Sequence, residues 1–201
     1  MENENKVSEL INNGAALSGP ITNEEGTALS RSDGEDPLKK TAEAVNELYG
    51  LIIGISIDEN INDKESDLLS EWMNKHEFLR NSNQFAIFFQ MLKVIIDTRH
   101  ATSEQYQDIL RMLQPFASTL FTQSETAMQI LKGIIKGIVG DGRLTRPELD
   151  NLYRWMNDYN EFADDPRFDK IYTLVGHILK DNVVTEDEKV QLLKKFHEFL
   201  L

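Results

Sequence analysis

Cysteine is absent from all 201 residues. That removes disulfide frameworks, thiolate metal sites, cysteine nucleophiles and redox relays together, and nothing in the chain asks for an oxidising compartment. No uninterrupted apolar run approaches the roughly 18 residues of a membrane helix, so no membrane insertion is expected. The sequence MENENKVSEL at the N-terminus is acidic where a secretory signal is basic. A cytoplasmic location is the resulting expectation. Catalytic signatures are missing too. There is no GxSxG nucleophile elbow, no HExxH pair and no Gly-rich phosphate loop between a strand and a helix. The four histidines, His76, His100, His177 and His197, share no metal-ligand spacing. Asp164 and Asp165, which could pass for an acid/base dyad, precede Pro166 and read as a helix start. The chain is therefore expected to be no enzyme, with no catalytic residues and no cofactor.

What is present has an ordinary globular balance, 40% hydrophobic and 27% charged, with a net charge of −13. Eight acids and two bases fall within residues 1–36, so that stretch carries nearly half of the excess. The remainder interleaves Lys and Arg with Asp and Glu, as solvated helical faces do, and no basic stripe is available for phosphates. No direct nucleic-acid binding is expected. Residues 1–36 are rich in Asn, Glu, Gly and Ser and contain no aromatic residue. Such a segment buries too little apolar surface to offset the entropy of ordering, and a disordered acidic tail is predicted there. Within it, Val7, Leu10 and Ile11 stand at helical spacing and could dock as one turn.

From Asp36-Pro37 onward, an N-cap residue before a proline opens a run of apolar residues at 3.6 spacing. Capping boxes return at Asn62/Glu65, Thr102/Gln105, Thr122/Glu125, Thr145/Glu148 and Thr185/Glu188. Asp165-Pro166 supplies one further start. These signals predict eight helices, over about 37–57, 63–76, 83–98, 103–114, 123–140, 146–159, 166–180 and 186–200. No period-two alternation bounded by hairpin turns occurs, so an all-α fold without a sheet is expected.

Sliding the chain by 83 residues aligns Leu48–Leu113 with Leu131–Phe196 without a gap, and 16 of the 66 positions are identical. The identities include Asp58 and Asp141, Glu65 and Glu148, Leu69 and Leu152, and Trp72-Met73-Asn74 and Trp155-Met156-Asn157. They fall on core, turn and cap positions, where backbone geometry restricts the residue. The body therefore reads as a tandem duplication of a four-helix unit, repeat 1 over 37–118 and repeat 2 over 119–201, packed as one compact body.

Gly50, Gly54, Gly133 and Gly137 recur four apart inside helices, at a cost of about 1 kcal/mol each against alanine. Close approach of another helix accounts for them; a ligand groove is the alternative. Asp58, Glu65, Asp141 and Glu148 place two carboxylates around one inter-helix turn per repeat, an oxygen-rich candidate site for a cation. The loops fail the EF-hand template, since Asp63 replaces the required Gly and Leu69 the bidentate Glu. Capping and turn formation explain the same carboxylates, so no metal is expected. Trp72, Trp155, Leu69 and Leu152 read as core, and Thr145 and Thr185 as caps.

An apolar helix ending in Asp-Gly, a short turn and a helix opening with Glu, as in IVGDGRLTRPELDNL, resembles the tellurite-resistance TerB-like helical family. It also resembles the helical segment preceding BRCT domains in some bacterial proteins. The TerB-like resemblance implies an all-helical fold, association with bacterial stress-response or phage-defence gene sets, and an acidic metal-binding surface at Asp58, Glu65, Asp141 and Glu148. The first repeat departs from the pattern, with Glu59 in place of the Gly. The function expected first is a non-catalytic protein-interaction module with a protein partner, with a homodimer as the subsidiary expectation because stacked units present apolar ends. Two alternatives stand beside it: an acidic decoy occupying a nucleic-acid site, and a divalent-cation-binding TerB-like protein.

Overall fold

The computed structural model describes residues 36–56, 61–117, 122–140, 142–159, 165–181 and 183–201. The expected tail, apart from Asp36, lies outside them, as do Asp58, Asp141 and Asp164. Eight α-helices occupy the described residues: α1 Pro37–Ile55, α2 Asp63–Lys75, α3 Asn83–Thr98, α4 Ser103–Ala117, α5 Gln123–Val139, α6 Arg146–Asp158, α7 Pro166–Ile178 and α8 Glu186–Leu200. No strand occurs among the described residues. Residues 35–201 form one compact unit.

Seven of the eight helices, all but α3, begin where their cap chemistry places them. Asp36 and Asp165 accept from the backbone N–H of Leu38 and Arg167, with proline at the first helical position of α1 and α7. The Asn62/Glu65, Thr122/Glu125, Thr145/Glu148 and Thr185/Glu188 pairs all close reciprocal capping boxes. At α4, Thr102 N–H donates to Gln105 Oε1 and Gln105 N–H to Thr102 Oγ1. Replacing Thr145 or Thr185 by alanine strands one N–H at a helix start. Each change is expected to cost about 1 kcal/mol in a denaturant melt, and the two costs should add, since the caps share no partner.

Departures from the sequence expectation are local: α7 stops at Ile178, and a 3-10 turn, Leu179–Asp181, takes the place of its expected last residues. A 3-10 turn, Glu77–Asn81, follows α2 and buries Leu79. Its five residues are too few for the periodicity of an amphipathic helix to register. Helix α4 passes Pro115 and runs to Ala117 instead of stopping at 114. The proline falls in the last turn, so only one ladder bond near a frayed end is lost.

The core forms two clusters. One runs from Ala44 to Leu113 and includes Leu48, Ile52, Leu69, Trp72, Phe88 and Ile109. The other runs from Ala127 to Phe196 and includes Leu131, Ile135, Leu152, Phe168 and Val175. Helices α1 and α5 pack on each other more extensively than any other pair, and each also packs on the last helix of its own half, α4 and α8 respectively. Tyr49 of α1 touches both clusters and Ile53 adds to the second. The α1–α5 crossing is thus the seam along which the two cores meet.

Candidate functional site

The four glycines sit at that seam, and the backbone of the opposite helix fills the space beside them. A Cβ on Gly50 would lie 2.8 Å from Gly133 Cα and 2.8 Å from Ile134 N. One on Gly54 would lie 3.0 Å from Gly137 Cα. The contacts are reciprocal: Gly133 meets Gly50 Cα and Leu51 N, as Gly50 meets Gly133 Cα and Ile134 N. Asn46 Nδ2 donates to Gln129 Oε1 at 2.6 Å, between positions 83 apart in the chain. Position i meets position i+83, which is the pattern of an isologous interface with a two-fold axis. The ligand groove considered for these glycines is therefore corrected to a backbone-to-backbone helix contact.

Of the four carboxylates considered for a cation, Glu65 and Glu148 are engaged as caps. Glu65 Oε2 accepts from Asn62 N–H at 2.9 Å, and Glu148 Oε2 from Thr145 N–H at 2.6 Å. No group of three His, Asp or Glu side chains suited to a metal ion occurs among the described residues. Leu69 and Leu152 are fully buried, and Trp72 and Trp155 nearly so. The Trp72 Nε1–H donates to Ala44 O at 3.1 Å, tying α2 to α1. Trp155 instead stacks on Tyr159, with ring centroids 4.6 Å apart.

One polar cluster has no local motif in the sequence. Glu47, on the inner side of α1, receives Lys136 of α5, Lys75 of α2 at 3.2 Å and His76 Nε2 at 3.3 Å. Its side chain is 18% exposed. Burial alone would raise the Glu47 carboxyl, but hydrogen bonds from His76 and Lys136 and the charges of Lys136 and Lys75 outweigh it. The carboxyl is held far below the usual carboxylate range. His76 is itself buried, its ring 5.0 Å from that of Trp72 and 6.0 Å from that of Phe78. Glu47, Lys75 and His76 line an open cleft of about 560 Å³ together with Lys40 and the half-exposed Phe78. The signal that would have found the cluster lies in the 83-residue offset: Ile130 stands opposite Glu47, Ile53 opposite Lys136 and Tyr159 opposite His76. At each of these three positions a titratable side chain stands where the position 83 residues away is aliphatic or aromatic.

The reverse exchange appears on the surface of α3. Its inward face, Phe85, Phe88, Phe89, Leu92 and Ile95, is buried in the first core. Its outward ridge carries Ile87 and Val94, 51% and 52% exposed and two turns apart, with Gln90 between them. At the corresponding positions α7 carries Lys170 and His177. The ends of the two helices differ in the same sense. Helix α7 opens on the capping carboxylate of Asp165 and has His177 in its last turn, as the helix dipole favours. Helix α3 opens on Ser82 without a side-chain cap, has no acid in its first turn and no base in its last, and ends with Asp97. Asp97 has no hydrogen-bond or ion-pair partner among the described residues.

No helix among the described residues is long and apolar enough to cross a membrane. Comparison of the chain with protein families, with curated proteins and with solved structures found no match.

Proposed function

We propose that the chain is a non-catalytic helical interaction module, formed by tandem copying of a four-helix unit, that engages a protein partner through the outward ridge of α3. The exchange of Lys170 and His177 for Ile87 and Val94 at corresponding helix positions carries the reading. A solvated helix needs no aliphatic side chains there, as α7 illustrates, and half-exposed Ile and Val on one stripe cost solubility unless covered. The duplication draws support from α2, α3, α4 and their counterparts α6, α7, α8, whose first residues all stand 83 apart. The reciprocal glycine contacts support it independently. In keeping with the TerB-like resemblance, the module is proposed to belong among bacterial stress-response or phage-defence proteins.

Site-specific photo-crosslinking separates this from a featureless surface. A crosslinking side chain at position 87, in native extract, should give protein adducts severalfold above the same group at position 170. Equal yields from the two helices would overturn the assignment to α3.

A further inference from the structure

The reading above names a surface; resting on it, we infer that the occupant of the α3 ridge is a second copy of this chain, paired antiparallel through α3 about Gln90. The ridge runs Asn83, Ile87, Gln90, Val94, Asp97, at the i, i+4, i+7, i+11 and i+14 positions of one helix face. It reads nearly the same from both ends. Turning a second α3 end for end about Gln90 sets Ile87 against Val94 of the partner twice, once on each side of the axis. Isologous pairing demands that self-complementarity of a single patch.

Charge argues for the same register. In an antiparallel pair each Asp97 lies beside the first turn of the other α3, about 21 Å along the helix from its own N-terminus. There the uncapped N–H groups and the positive end of the dipole favour a carboxylate. On its own helix Asp97 sits at the negative end; the corresponding position after α7 is Lys180, in the 3-10 turn Leu179–Asp181, with His177 in the last turn of α7. A parallel pair would leave both Asp97 side chains at the unfavourable end and facing each other. The ridge positions Asn83, Ile87, Gln90 and Val94 carry no charge; the exposed Lys93 flanks them, and in this register it lies across from Ile87 of the partner and not from a like charge. Two copies at −13 each therefore meet without opposing like charges in the contact, although they repel at longer range.

One helix pair buries less than a standard interface, so the dimer is of the weak, concentration-dependent class. Sedimentation equilibrium on the full chain, from about 1 to 300 µM, should show the mass rising from 23.1 kDa towards twice that value. Association should strengthen with added salt, because screening relieves the repulsion of two acidic copies. Ile87→Lys, which installs the side chain α7 carries at its matching position, should weaken association at least about tenfold. Asp97→Lys should weaken it about threefold or more. Circular dichroism melts report whether either variant loses its fold.

Register is read separately. The absence of native cysteine makes a single introduced thiol unambiguous. Gln90→Cys should form a disulfide-linked dimer on mild oxidation, and Lys170→Cys should not. A mass of 23.1 kDa at every concentration, with no crosslink from position 90 above that from 170, would overturn self-pairing. The interaction reading would then still stand if position 87 captures a foreign protein in extract, and would fall with it if 87 and 170 behave alike. Dimerisation that survives both Ile87→Lys and Asp97→Lys would place the contact elsewhere and overturn the inference.

Discussion

Gly50→Ala and Gly133→Ala are each expected to destabilise the protein by a net of about 2 kcal/mol, although alanine is the better helix former by about 1 kcal/mol. The sign is set by what the new methyl meets. It would stand 2.8 Å from a backbone Cα of the opposite helix, and no rotamer change can move a backbone. The helices must separate, and the cost of overpacking, about 3 kcal/mol at a rigid site, exceeds the propensity gain. For a chain of this length the net loss lowers Tm by roughly 4–8 °C, read in a circular dichroism melt. Because the two glycines face each other, the double variant should lose about 0.5–1 kcal/mol less than the sum of the singles. The second methyl enters a gap that the first has already opened. An increase in Tm for Gly50→Ala would mean that α1 and α5 are not in backbone contact.

Glu47→Ala is expected to cost about 2–3 kcal/mol, since it strands Lys136 and the buried His76 without their shared acceptor. The loss stays below that of a fully buried pair because Lys136 keeps 37% of its side chain in water and can rehydrate. The remedy is visible across the same seam, where Ile130 and Ile53 stand 83 residues from Glu47 and Lys136 respectively. Glu47→Ile with Lys136→Ile should recover most of the stability lost in Glu47→Ala. The carboxylate also imposes a pH dependence. Its folded value is depressed far below the unfolded one of about 4.3, so the unfolded chain binds the proton first as pH falls. Its contribution is complete above about pH 5 and declines as pH falls below 4 towards the folded value. Acid melts of the wild type should therefore lose stability more steeply over that range than melts of Glu47→Ala.

Element boundaries were legible because they rest on local chemistry. Asp36, Asn62, Thr102, Thr122, Thr145, Asp165 and Thr185 satisfy N–H groups two or three residues away, so the information sits within one turn of sequence. The 3-10 turn at Glu77–Asn81 and the passage of α4 through Pro115 were not legible. A single short turn has no periodicity to detect, and tolerance of a proline depends on how near the helix end lies. The candidate site divides in the same way. Glu65 and Glu148 could be read as caps from spacing alone. Glu47, Lys136 and His76 stand 89 and 29 residues apart in their pairings, and no local rule brings them together.

By itself, then, the order of residues determined that the body is helical, where each helix begins, and which positions recur at an interval of 83, because hydrogen bonding at helix ends and apolar periodicity act over a few residues. Tertiary structure alone decided that Gly50 faces Gly133 and that Glu47 gathers Lys136 from α5 and Lys75 and His76 from the end of α2. It also decided that Ile87 and Val94 point into water while Phe88 and Leu92 do not. Burial and Coulomb energy depend on what lies across a few ångströms of space, and only the folded chain sets that distance.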